Sequence, residues 1–106
     1  MNANQRQQTE TRLIGVLRSI FDPEIPVNIY DLGLIYKVEV DEDQTAHITM
    51  TLTAPNCPMA DQLIEEIQYK VGNTRGIKNV DLKLTFNPPW DKSMLSDEAK
   101  LELGLM

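Results

Sequence analysis

The chain has 106 residues, 42% hydrophobic and 25% charged, which fits one domain, 1–106, with a modest core and leaves little room for a second. Ten Lys and Arg against 16 Asp and Glu give a net charge of −6, a poor match to a phosphate backbone or an anionic membrane surface, so neither nucleic acid nor membrane is expected as a partner. The single cysteine excludes an internal disulfide framework and points to a reducing, cytoplasmic setting; the first residues lack the apolar core of a secretory signal.

Residues 1–8 are polar and are expected to fray. Leu13, Val16, Leu17 and Ile20 then fall at helical spacing on one face, and Phe21-Asp22-Pro23 ends that helix because proline disfavours helical geometry in the residue before it. From Asp22 to Gly33 the chain carries two prolines, three carboxylates and a glycine, and reads as an ordered loop. Tyr36, Val38 and Val40 alternate with Lys37 and Glu39, and Ala46, Ile48, Met50 and Leu52 alternate with His47, Thr49, Thr51 and Thr53. These are two half-buried strands joined as a hairpin by Asp41-Glu42-Asp43-Gln44.

A second helix starts near Pro58, with Ala60, Leu63, Ile64, Ile67 and Val71 as its buried stripe, a Glu66–Lys70 pair on its surface and Gly72-Asn73 as its stop. Val80 to Phe86 alternates as a third strand and runs into Asn87-Pro88-Pro89-Trp90. In the tail, 91–106, Ser96 caps a short helix, with Leu101 and Leu103 available for docking. The order α-β-β-α-β with a short C-terminal extension, read as consecutive antiparallel strands under helices, predicts an α+β two-layer sandwich.

Cys57 is the first candidate for chemistry. It stands before Pro58, which pushes it from helical geometry while Pro58 itself suits the first helical position, so Cys57 is placed at the N-cap of the second helix. Free backbone N–H groups and the positive end of the helix dipole favour a thiolate there, the form that binds metals or attacks electrophiles. The competing reading is a small buried residue plugging a loop. No Lys or Arg occurs between Lys37 and Lys70, so the helix end alone acts on the thiol.

Asp22, Glu24 and Asp31 are the second candidate set: they can ligate a hard cation, present a negative docking surface, or cap turns. His47, the only histidine, reads as a surface side chain on the polar face of its strand. One Cys and one His make neither a closed zinc site nor a complete iron–sulfur cage, so any cluster or iron is held transiently and shared with a partner, a second subunit in a homodimer, or a small thiol. Trp90, held extended by Pro88 and Pro89, can lie over the protein's own sheet or anchor a partner. The absence of G-x-x-x-x-G-K-[ST] and G-x-G-x-x-G leaves no nucleotide site, and a lone thiol without a resolving cysteine does not favour a redox enzyme; no enzymatic activity is expected.

The run from Asp22-Pro23-Glu24 through Tyr30-Asp31-Leu32-Gly33 to Tyr36, the segment Thr53-Ala54-Pro55-Asn56-Cys57-Pro58, and Asn87-Pro88-Pro89-Trp90 together resemble the signature of the SufT/PaaD-like domain family. The likeness covers Leu13 to Trp90, with three motifs in the right order. It implies an iron–sulfur cluster assembly type of fold and an accessory role in loading clusters onto client proteins. It also marks Asp22, Pro23, Glu24, Asp31, Gly33, Cys57, Pro58 and Trp90 as characteristic positions. Expected partners are iron–sulfur carrier or client proteins. The alternatives are an accessory to a PaaD-like aromatic-ring oxygenase system and a non-catalytic adapter in which Cys57 is incidental.

Overall fold

The computed structural model describes residues 2–22, 25–53 and 60–104. Helix α1 spans Ala3–Arg18 and opens on a capping box, the Asn2 side chain accepting from Gln5 N at 2.8 Å while the Gln5 side chain accepts from Asn2 N at 3.1 Å. Residues 3–8 are therefore helical, not frayed. Their anchorage is polar and so leaves no hydrophobic pattern: Thr9 is buried, and the Glu10 carboxylate accepts from Val40 N at 2.9 Å. The apolar stripe behaves as its spacing requires, with Leu13, Leu17 and Ile20 fully buried and Val16 packed against them.

Strands β1 (Ile35–Val40) and β2 (Thr45–Met50) pair antiparallel across the Asp41–Gln44 turn. Asp41 builds that turn, its Oδ1 accepting from Asp43 N at 2.9 Å and Thr45 N at 3.0 Å. Helix α2 (Ala60–Gly72) then carries the chain back across the sheet, and β3 (Asn79–Leu84) joins β2 in parallel, in register from Thr45↔Asn79 to Met50↔Leu84. The sheet, ordered β1-β2-β3, is thus mixed, which corrects the expectation of consecutive antiparallel strands. A helix between two neighbouring strands returns the chain to its starting side, so both run the same way.

Ala46, Ile48 and Met50 face the helices together with Leu63, Ile67 and Val71 of α2 and the stripe of α1, forming one core between two layers of an α+β sandwich. A one-turn 3-10 segment, Lys92–Met94, precedes α3 (Asp97–Glu102), whose Ser96 cap accepts from Ala99 N at 3.1 Å. Leu95 and Ala99 enter the core and Leu103 packs beside them, whereas Leu101 is 64% exposed. Of the two leucines expected to dock the tail, Leu103 does so beside Leu95 and Ala99 and Leu101 does not: Ala99 and Leu103 are one turn apart, and Leu101 lies on the opposite face.

Candidate functional site

Two of the three sequence motifs meet at one end of the sheet, where β1 begins and β2 and β3 end. Thr51 N donates to Leu34 O at 2.8 Å and Thr85 N to Met50 O at 2.8 Å, which ties the strand ends together. The indole N–H of Trp90 donates to Leu32 O at 2.7 Å, the Tyr36 hydroxyl to Pro88 O at 2.8 Å, and Ser96 N to Asp31 O at 2.8 Å. These bonds seat the Asn87–Trp90 segment and the C-terminal tail on the Asp22–Leu34 loop. The chain leaves β2 at the same end through Thr53. Cys57, Pro58 and the inferred N-cap lie outside the described residues, as do Pro23 and Glu24.

Within the loop the acidic residues organise backbone. Asp22 is 7% exposed, and its Oδ1 accepts from Ile25 N at 3.0 Å, closing the turn that brings Asp22 N to Val27 O. Asp31, also 7% exposed, exchanges two hydrogen bonds with Asn28: Asn28 Nδ2 donates to Asp31 Oδ2 at 2.7 Å, and Asp31 N donates to Asn28 Oδ1 at 2.9 Å. Arg18, from the last turn of α1, reaches Asp31 Oδ1 at 3.6 Å, and its guanidinium lies over the Tyr30 ring, 5.2 Å from the centroid. Gly33 adopts φ +83°, and a Cβ there would meet Met94 O at 2.3 Å, so the loop and the tail touch backbone to backbone. Thr51, fully buried beside this loop, has a side-chain oxygen with no hydrogen-bond partner among the described residues.

Arg18, Asn28 and Met94 were not among the residues singled out from the sequence. The Asn28-x-x-Asp31 spacing is a legible turn signal for one of them. Arg18 and Met94 act across distances of 13 and 61 residues from their partners Asp31 and Gly33, which no local pattern encodes.

Among the described residues no group of three His, Cys, Asp or Glu side chains is arranged so that it could hold a metal ion. They do not by themselves fit a resident cluster. With a single cysteine, the chain cannot by itself supply the four thiolates of a complete cluster cage.

His47 is more engaged than a bare surface histidine. Its Nε2 lies 2.8 Å from Asp41 Oδ2 and its Nδ1 3.0 Å from Asp81 Oδ2. Only the imidazolium can donate to both carboxylates at once. The hydrogen bond to Asp41, and then that to Asp81, raise the His47 pKa above its ordinary 6.5. A folded-state pKa raised in this way contributes stability that is complete below 6.5 and lost as pH climbs through the raised value. A proton NMR titration of the imidazole is expected to give a pKa above 6.5, and His47→Gln to flatten the fall in melting temperature across that window. A titration midpoint at or below 6.5 would remove the clamp.

Residues 10–82 match the family described as iron-sulfur cluster assembly protein. The chain belongs to that family. It is 54% identical over 103 residues to an Fe–S protein maturation auxiliary factor of Porphyromonas gingivalis, covering 97% of this chain and 98% of the relative. It is 37% identical over 86 residues to the auxiliary factor SufT of Staphylococcus aureus, covering 81% and 98% of the two chains. The crystal structure of a DUF59 domain from Bacillus anthracis superposes with a TM-score of 0.90 at 37% identity, over 99% of this chain and 100% of that one. The SufT-like resemblance of the motifs and the α+β fold both stand. As an iron–sulfur cluster assembly protein, the chain places two of its motifs, and the exit toward the third, at the end of the sheet where Trp90 and Gly33 lock the acidic loop. No helix among the described residues is long and apolar enough to cross a membrane.

Proposed function

We propose that this protein is a non-enzymatic, cytoplasmic accessory factor that helps load iron–sulfur clusters onto client proteins, with Cys57 as a transient contact to the cluster. Family membership and the auxiliary-factor relatives support the class of process. The observation that carries the finer reading is the convergence of the acidic loop, the Asn87–Trp90 segment and the exit of β2 toward residues 54–59 at one end of the sheet. One thiolate cannot enclose a cluster, so the remaining ligands come from a carrier, a client, a second copy or a small thiol. Asp22 and Asp31 shape the loop that borders this end. The indole N–H of Trp90 is already committed to Leu32 O, which supports a structural role for Trp90 over that of an adapter's anchor.

The test is anaerobic transfer of a reconstituted cluster to an apo-client, followed by visible absorption and recovered client activity. Cys57→Ser is expected to fold as the wild type and to slow assisted transfer at least about tenfold, because a hydroxyl is a poor ligand for iron in place of a thiolate. Equal transfer by the variant would sink the direct role of Cys57.

A further inference from the structure

The outer groove between α1 and α2 has a charge character opposite to that of the molecule. Arg12, Val16 and Ser19 line it from α1, Tyr69 and Lys70 from α2, and Arg75 from the turn that follows. A second depression, holding Gln5, Gln8 and Gln44, continues it and shares Arg12 and Arg75. On α1, positions 5, 8, 12, 16 and 19 recur at helical spacing, so the two depressions follow one stripe about 20 Å long.

Among the described residues no Asp or Glu lines either depression, although acidic residues outnumber basic ones 16 to 10 in the chain. Lys70 is held by Glu66 at 2.8 Å, so the uncompensated cations are Arg12 and Arg75. Arg12 Nη1 donates to Arg75 O at 2.7 Å, which fixes its position without neutralising it. Neither guanidinium has a carboxylate partner among the described residues. Tyr69 beside them is 73% exposed, a large ring of the kind that gains most from burial against a partner.

We propose that this groove docks a short acidic segment of a partner protein, its carboxylates meeting Arg12 and Arg75 and an apolar side chain lying on Tyr69 and Val16. An extended polyanion or an anionic membrane would also face the carboxylates of a chain carrying net charge −6, whereas a short segment fits a stretch that, among the described residues, is free of them. The inference rests on the reading of the protein as an accessory that engages other proteins. It assigns the docking face to the helical layer. Arg75 precedes β3 and Trp90 follows it, so the groove's Arg75 end and the loop end lie at opposite ends of that strand.

The probe is a peptide of about 12 residues alternating glutamate and leucine, titrated into 15N-labelled protein, with the same peptide carrying glutamine as control. Backbone shifts are expected along Arg12–Ser19 and Tyr69–Arg75. The glutamine peptide should bind at least about tenfold more weakly, and affinity should fall as salt rises from about 20 to about 300 mM. Arg75→Glu, whose side chain makes no ion pair within the described residues, should weaken binding at least about fivefold with an unchanged circular dichroism spectrum, and Tyr69→Ala should weaken it by a similar factor. Shifts confined to other surfaces, equal binding of the glutamine peptide, or wild-type binding by Arg75→Glu would overturn the proposal. So would a response to single-stranded RNA or phosphatidylglycerol vesicles without one to the acidic peptide. Cys57→Ser should bind the peptide normally, so failure of the groove and failure of the cluster-contact role are read separately.

Discussion

Gly33→Ala is expected to destabilise the protein more than any surface substitution, by about 2–5 kcal/mol, lowering its melting temperature by at least about 10 °C. Two costs add. At φ +83° an L-residue pays for left-handed backbone, about 1–2 kcal/mol. The new methyl would also stand 2.3 Å from Met94 O and 2.9 Å from Met94 C, backbone atoms that no rotamer change can move. Either the loop or the 3-10 segment must shift, and the bond from Ser96 N to Asp31 O lies in the path of that shift. Against a total stability of about 5–15 kcal/mol for a domain, this is a large fraction. Thermal denaturation by circular dichroism reads it, and a change below about 3 °C would mean that the loop–tail contact is slack.

Trp90→Ala is the second large effect. The indole is half-buried against the core cluster and supplies the donor to Leu32 O, whose residue is fully buried. Truncation removes apolar contact and strips a buried carbonyl of that partner, together about 3 kcal/mol. Trp90→Phe keeps most of the contact and loses only the N–H, so it should cost about 1–2 kcal/mol. Urea midpoints for both variants separate the two contributions. If they proved equal, the hydrogen bond would carry the effect and the ring's packing almost none.

The layers of this fold were legible because their periodicity is local. The stripe Leu13–Leu17–Ile20, the alternation Ala46–Ile48–Met50 and the series Leu63–Ile67–Val71 each announce a buried face within a few residues. The direction of β3 was not read, because alternation looks the same in parallel and antiparallel strands; only the intervening helix carries that information. The start of α1 was missed because Asn2, Gln5 and Glu10 fix it through hydrogen bonds. In the site, the motifs named Asp22, Asp31, Gly33 and Trp90, and turn chemistry explained Asp22. Asp31 likewise pairs with Asn28 three residues away, whereas the partners of Gly33 and Trp90 lie far along the chain, with Trp90 and Leu32 58 residues apart. His47 looked idle because of such distance too: one of its carboxylates, Asp81, comes from a strand 34 residues away.

The hydrogen bonds that close the loop end also carry a kinetic message. The β1–β2 hairpin needs contacts only a few residues apart, whereas Tyr36 to Pro88 spans 52 residues and Trp90 to Leu32 spans 58. Closing such long loops costs entropy before any contact repays it, so the loop end assembles after the hairpin and after α2 has delivered β3. During synthesis, the acidic loop leaves the ribosome well before Trp90 and Met94 can pack on it. The end of the sheet that carries two of the family's motifs is thus expected to be the last part of the domain to mature, and the first to open in native-state hydrogen exchange.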